Sequence, residues 1–486
     1  MNSDQQLVWR RLERLQFDAP GASQSFTIRL AREQGWSLRY AVRVVDEYRR
    51  FLFLAATSGP ACPSEQVDEA WHLHLCYTRS YWTELCGEVL RQPLHHQPTE
   101  GGPAQLEHHR AKYLATLAAY RRQFGKPPAD IWPDVDERFA ATSKRSIDLQ
   151  RHIILPRPRL GPLVRRLRQR LQRATWLGAV ALTPMIGAAW NPLDLPGPEF
   201  LPLIALLLAT AIIGAGVLRR LLRAPDDGSP YPELDAYEVA VLAGDEKLAM
   251  QTAICEMTVA GQLALDNASG RLRVVEHERP GVVHPLAQAI YDGLANREVA
   301  GIGDAYNAGQ LEAARIGVKL ESLKLLETPQ TSMAARWIPG LLCGGVALFG
   351  ATKIAVGLSR DKPVAFLVVL TIAAIVATAI FLRPMKRSLR GNNLLRKLQR
   401  EHPHHNQSND LFTRPPGDVA MGIALFGLAA LATGPGGIAD LHRWLRPQAA
   451  GGTGCTSAGT GCGAGCGGGG GGGGCSSGCG GCGGGD

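Results

Sequence analysis

Polar and apolar positions along this chain follow two rhythms. From Ser37 to Ser58, Leu38, Ala41, Val42, Val45, Tyr48, Leu52 and Ala55 recur every three or four residues, the spacing of one helical face, and Gly59 with Pro60 ends the run. Ser64, just after Pro63, predicts the start of another helix, which carries Val67, Trp71, Leu75 and then Trp82 toward a core. A further helix is expected from Ala104 to Phe124, stopped by Gly125 before Pro127 and Pro128. Residues 1–140 thus read as a domain of four or five helices.

The second rhythm has no polar face. Ala174–Trp190, Phe200–Leu218, Trp337–Leu358 and Val364–Leu382 are 17, 19, 22 and 19 residues long and nearly uncharged. A bilayer needs about 17–25 such residues, so the pattern predicts two transmembrane hairpins, 174–218 and 337–382. A fifth run, Val419–Gly434, is marginal at 16 residues. The start, MNSDQQLVWRRLERLQF, lacks an apolar stretch, so no cleaved signal peptide is expected.

Between the hairpins, residues 224–335 alternate differently. LDAYEVAVLAG reads as a short helix ending at Gly244, Asp245 as the cap of a second that stops at Gly261, and QLALD with RLRVVE as two strands about a turn at Asn267–Gly270. Helices around His284–Ala295 and Gln310–Leu326 follow. Helix, helix and hairpin in this order suggest a winged-helix-like α+β domain. The fold class expected is therefore a mainly α membrane protein: a helical N-terminal domain, two transmembrane hairpins flanking a small α+β domain, and a tail.

Charge sharpens the picture. The net +9 is distributed as +1 over residues 1–150, +8 over 151–175, +1 over 176–223, −9 over 224–335 and +8 over 336–486. A domain of −9 repels phosphate, so no nucleic-acid partner is expected, and a protein partner at the acidic domain or the tail is. Arg165–Arg173, Arg219, Arg220, Arg223, Arg336, Arg383, Lys386, Arg387 and Arg390 collar the apolar runs. Lys and Arg mark the cytoplasmic side, which places the N-terminal domain, 224–335 and the segment after 382 in the cytoplasm of a bacterial inner membrane, with the lipid bilayer as a partner. Residues 141–173 and 383–418 read as basic linkers. Lys353 lies near the end of its run, placed to snorkel, and no acidic or histidine residue marks a transport path.

Overall composition, 45% hydrophobic and 20% charged, conceals a peculiar end. Residues 451–486 hold 21 of the 56 glycines and six of the 11 cysteines, Cys455, Cys462, Cys466, Cys475, Cys479 and Cys482. Such a tail cannot bury enough apolar surface to fold, and it is expected to be disordered. Its thiols suit zinc, copper or an iron–sulfur cluster.

The most distinctive local sequence is VDEAWHLHLCYTRSYW (Val67–Trp82), followed by Cys86, by PLHHQPTEGG (Pro93–Gly102) and by PPADIWP (Pro127–Pro133). It resembles the amino-terminal region of the bacterial glycine-rich domain-containing proteins and, more distantly, plant glycine-rich domain proteins with a D-x-x-W-H-x-H segment, here Asp68, Trp71, His72 and His74. From about residue 160 onward the layout is similar to bacterial membrane proteins that end in cysteine-rich tails. Both resemblances imply a membrane protein without a known activity. On a helix Asp68, His72 and Cys76 share one face, whereas His74 points about 200° away, and His95 and His96 follow from the next loop. Carboxylate, imidazole and thiolate are the donors zinc or another soft metal uses. The alternative is that the histidines pack and hydrogen-bond within the bundle. No phosphate loop, nucleophile elbow, HExxH or dinucleotide fingerprint is present. A non-enzymatic scaffold or interaction protein displaying the tail is the first expectation, and metal handling by the tail cysteines or the histidine cluster is the second.

Overall fold

A computed structural model of the chain describes residues 1–19, 24–96, 103–140, 195–266, 269–275, 284–295, 297, 300–360, 362–403, 414–428, 441 and 443–445. The apolar run 174–190, the basic segment 141–173 and the six-cysteine tail lie outside the described residues. The chain is mainly helical, with one small antiparallel sheet.

The N-terminal domain consists of α1 (Ser3–Arg14), α2 (Phe26–Gln34), α3 (Leu38–Thr57), α4 (Glu65–Cys76), a π-helix α5 (Arg79–Leu90), α6 (Pro103–Phe124) and the short α7 (Val135–Arg138). Their starts are local chemistry. Ser37 Oγ accepts from Tyr40 N at 3.3 Å, Ser64 Oγ from Val67 N at 3.3 Å, and Asn2 with Gln5 forms a capping box on α1. The central α3 buries Val44, Tyr48, Phe51, Leu52, Phe53 and Leu54. It also buries Glu47, whose carboxylate accepts from Tyr120 Oη at 2.8 Å, Trp132 Nε1 at 2.9 Å and Arg50 Nη1 at 2.6 Å. Asp130 takes both arms of Arg43 at 2.7 and 2.8 Å, and its carbonyl accepts from Tyr40 Oη at 2.8 Å. The PPADIWP motif therefore clamps α3: its aspartate and tryptophan satisfy groups on that helix.

One expectation fails here. α4 stops at Cys76, and α5 continues in π register, with i→i+5 hydrogen bonding in place of i→i+4. The altered periodicity turns Tyr81 into the core and leaves Trp82 exposed, the reverse of the helical extrapolation.

The acidic domain is α9 (Ala236–Ala243), α10 (Glu246–Val259), β1 (Leu263–Asp266), β2 (Arg271–Val274), α11 (Pro285–Ala295), β3 (Ala300–Gly301) and α12 (Ile302–Ser322). The sheet order is β1-β2-β3, with Leu263 opposite Val274 and Arg271 opposite Gly301. The third strand was not anticipated, being two residues long. α12 begins eight residues before the expected Gln310 because Asp304 accepts from Gly301 N at 2.9 Å and caps it there.

Two helices from beyond the second hairpin complete this domain. α15 (Leu389–Glu401) puts Leu394 and Leu395 into its core, and α16 (Pro416–Phe426) adds Val419, Ile423, Ala424 and Leu425. The stretch 383–418, read from sequence as a polar linker, thus contains a core helix. Its Arg390 is buried, ion-pairs with Asp227 and donates to Pro230 O at 2.8 Å. α16 has 11 residues, about 16 Å of helix, which falls short of the roughly 30 Å hydrocarbon layer. Leu441 and Leu445 join the same core, and Gln251 donates to Leu445 O at 2.9 Å.

The remaining helices are α8 (Gly197–Leu222), α13 (Pro329–Ser359) and α14 (Ala365–Phe381). α8 and the Thr331–Ser359 part of α13 are long and apolar enough to cross a membrane, and α14 is a shorter apolar helix of 17 residues. They pack through Ala211, Ala215, Cys343, Ala347, Ala374 and Ala377, small side chains that let helices approach. Their outer faces expose Leu206, Ile213, Leu341, Leu348, Phe366, Val369 and Ile372. Lys353 does not snorkel freely: it is buried, donates to Leu195 O at 2.8 Å and sits over the Phe200 ring at 4.9 Å.

Candidate functional site

Of the five residues singled out in the N-terminal domain, the structure brings three together. Asp68 and His72, one helical turn apart on α4, share a face. His96 arrives from the segment after α5, and its Nε2 lies 3.0 Å from Asp68 Oδ1. One potential ligand atom from each of the three lies within 4.8 Å of the others. The His96 ring packs 4.5 Å, centroid to centroid, from both Trp71 and His72. His72 is exposed, while Asp68 and His96 are half-buried, so the cluster is open on one side.

Cys76 and His95 stand apart. The Cys76 thiol turns back toward its own helix, 3.7 Å from His72 O, and His95 faces outward beside Trp82, 5.7 Å between ring centroids. His74 belongs to the core: Nδ1 is 3.0 Å from Tyr48 Oη, Nε2 is 3.3 Å from Ser80 Oγ, and Phe17, Phe26 and Tyr81 surround the ring edge-on. Burial lowers its pKa to about 4, so it is neutral near pH 7. The two histidines of WHLHL, two positions apart, therefore have opposite surroundings, one exposed and one packed.

The placement of His96 depends on Trp71 together with Tyr81, Leu94 and Arg91, which the periodicity did not single out. Trp71 Nε1 donates to Tyr81 Oη at 2.9 Å, and the Tyr81 hydroxyl donates to Leu94 O. Arg91, in left-handed conformation with φ 58°, caps the π-helix and turns the chain back toward α4. The sequence signal for this tether was the Tyr81–Trp82 pair, whose inward member changes with helix type.

A second feature is the joint between the three apolar helices and the acidic domain. The last turn of α8, the first of α13 and the end of α14 lie together. Arg219 Nη2 donates to Arg383 O at 3.0 Å, Arg223 Nη2 to Arg387 O at 2.8 Å, and Ser332 Oγ to Met385 O at 2.6 Å. Ala224 N donates to Glu327 Oε1 at 2.8 Å, and Ser388 N to Leu325 O at 3.0 Å. Lys386 pairs with Asp245, the cap of α10, at 3.2 Å. The acidic domain in turn meets the N-terminal domain, where Ile28 and Val42 pack on Leu311 and Ala314.

No family model, curated protein or solved structure matches the chain.

Proposed function

We propose that this chain is a non-enzymatic, membrane-anchored scaffold of a bacterial inner membrane, holding its N-terminal and acidic domains as one cytoplasmic body and displaying the Gly/Cys tail there. The observation that carries this reading is the joint just described. Arg219 and Arg223, at the end of α8, donate to the carbonyls of Arg383 and Arg387 just past α14, and Lys386 of that same basic segment ion-pairs with Asp245 of the acidic domain. Lys and Arg at one end of apolar helices mark the cytoplasmic side. The exposed Leu, Ile, Val and Phe on the outer faces of those helices suit lipid contact, and in this reading residues 174–190 supply a fourth span.

The acidic domain keeps its winged-helix-like reading as a module for docking proteins, since the −9 carried by residues 224–335 repels nucleic acid. Leu441 and Leu445 pack into the acidic core, which supports a tail that leaves from the cytoplasmic body. The resemblance to cysteine-tailed bacterial membrane proteins supports the same assignment.

Thiol labelling tests it. A membrane-impermeant maleimide should modify the tail cysteines only after the cells are opened. Labelling in intact cells would overturn the orientation, and release of the chain by alkaline carbonate would overturn the anchor.

A further inference from the structure

We propose that Asp68, His72 and His96 form a mononuclear binding site for a first-row divalent metal ion, zinc in the first instance, that clips the segment after α5 onto α4. This site is independent of the membrane reading and differs from the five-residue set suggested by spacing.

The donors are two imidazoles and one carboxylate, which zinc accepts at about 2.0–2.2 Å, and donor atoms around a tetrahedral ion are then about 3.3 Å apart. His96 Nε2 and Asp68 Oδ1 already stand 3.0 Å from each other. All three donor atoms lie within 4.8 Å of one another, and the third, on His72, is carried by an exposed side chain. The Trp71–Tyr81–Leu94 hydrogen-bond chain ties the backbone two residues before His96 to α4, which brings His96 beside Asp68 on that helix.

The donor set also sets the chemistry. With no thiolate among them, the ligands favour zinc, cobalt or nickel over copper(I) or an iron–sulfur cluster. Three protein ligands leave a fourth position, facing solvent at His72, for water or an external anion. An ion held by His96 Nε2 and Asp68 Oδ1 takes the place of the direct contact between them and links residues 28 positions apart in the chain.

Zinc and cobalt binding to the full chain with all six tail cysteines changed to serine provides the test, because the tail thiols then do not compete. About one ion per chain should bind, the cobalt complex should show visible ligand-field bands without thiolate charge transfer, and the thermal midpoint should rise on zinc addition. His72→Ala, at an exposed position, should weaken binding at least tenfold with the circular dichroism unchanged, and His96→Ala should do the same. His95→Ala and Cys76→Ser should bind as the parent does. Failure of the serine-tail chain to bind an equimolar ion, or full affinity in His72→Ala, would overturn the site. So would loss of binding in Cys76→Ser.

Discussion

Arg39 of α3 and Glu321 of α12 meet across the seam between the N-terminal and acidic domains, guanidinium Nη1 to carboxylate at 3.0 Å, with only 9% of the Glu321 side chain exposed. The same guanidinium also pairs with Glu246 and lies against Gly317, where a Cβ would collide with it. Removing Arg39 leaves two carboxylates facing each other in a half-buried place. Arg39→Ala should therefore destabilise the chain by about 1–3 kcal/mol. In a double-mutant cycle with Glu321→Gln, thermal unfolding should show a coupling of at least about 0.5 kcal/mol. Additive effects would mean that the Arg39–Glu321 ion pair contributes nothing to the seam.

Glu47 makes a pH prediction. Burial raises its pKa above the ordinary 4.5, against the opposing pull of Arg50 and of the Tyr120 and Trp132 hydrogen bonds. A raised pKa means that the folded chain holds this proton more tightly than the unfolded chain. Its contribution to stability is thus fully present below pH 4.5 and is lost as pH climbs through the folded value. The melting temperature of the parent should fall relative to Glu47→Gln as pH rises from 4 toward 7. A gap that does not change with pH, measured by tryptophan fluorescence, would contradict this.

Among the described cysteines, Cys76 is exposed, while Cys62, Cys86, Cys255 and Cys343 are buried. Burial also pushes the Cys255 thiol well up, so little thiolate forms there near neutral pH. Alkylation of the native protein followed by peptide mapping should modify Cys76 early and Cys255 only after unfolding. Equal rates at the two would show that α10 is not packed as described.

Ile372, 54% exposed on α14, faces outward, whereas Ala374 is fully buried against α8 and α13. If the outer face meets lipid, Ile372→Arg puts a charge into hydrocarbon at a cost of about 2.5–3.5 kcal/mol and should lower the membrane-integrated fraction. Ile372→Leu should be neutral. Full integration of the arginine variant, assayed by carbonate extraction, would count against a lipid-facing α14.

Helix caps were the most legible part of this chain. Ser37, Ser64 and Asp245 each hydrogen-bond the backbone three residues on, a chemistry complete within four residues, and the structure uses all three. The divergence of His72 from His74 was legible for a similar reason, since side-chain direction along a regular helix is geometry. Legibility ended at Tyr77, where no glycine or proline announced the change to π register. It ended again at His95 and His96, neighbours in a loop whose roles follow from which one the Trp71–Tyr81–Leu94 tether turns inward.

The sequence by itself determined the long apolar runs, the basic collars, the acidic domain and the peculiar tail, because length, hydropathy and charge act without reference to distant partners. Only the tertiary structure decided that α15 and α16 belong to the acidic core and that 1–140 docks on it. The structure likewise decided that three of five candidate ligands converge. α16 shows why: a short, mostly apolar helix has the same local appearance in a membrane, at an interface or in a core. Burial against α9 and α10 distinguishes these, and that contact is made with residues some 180 positions earlier in the chain.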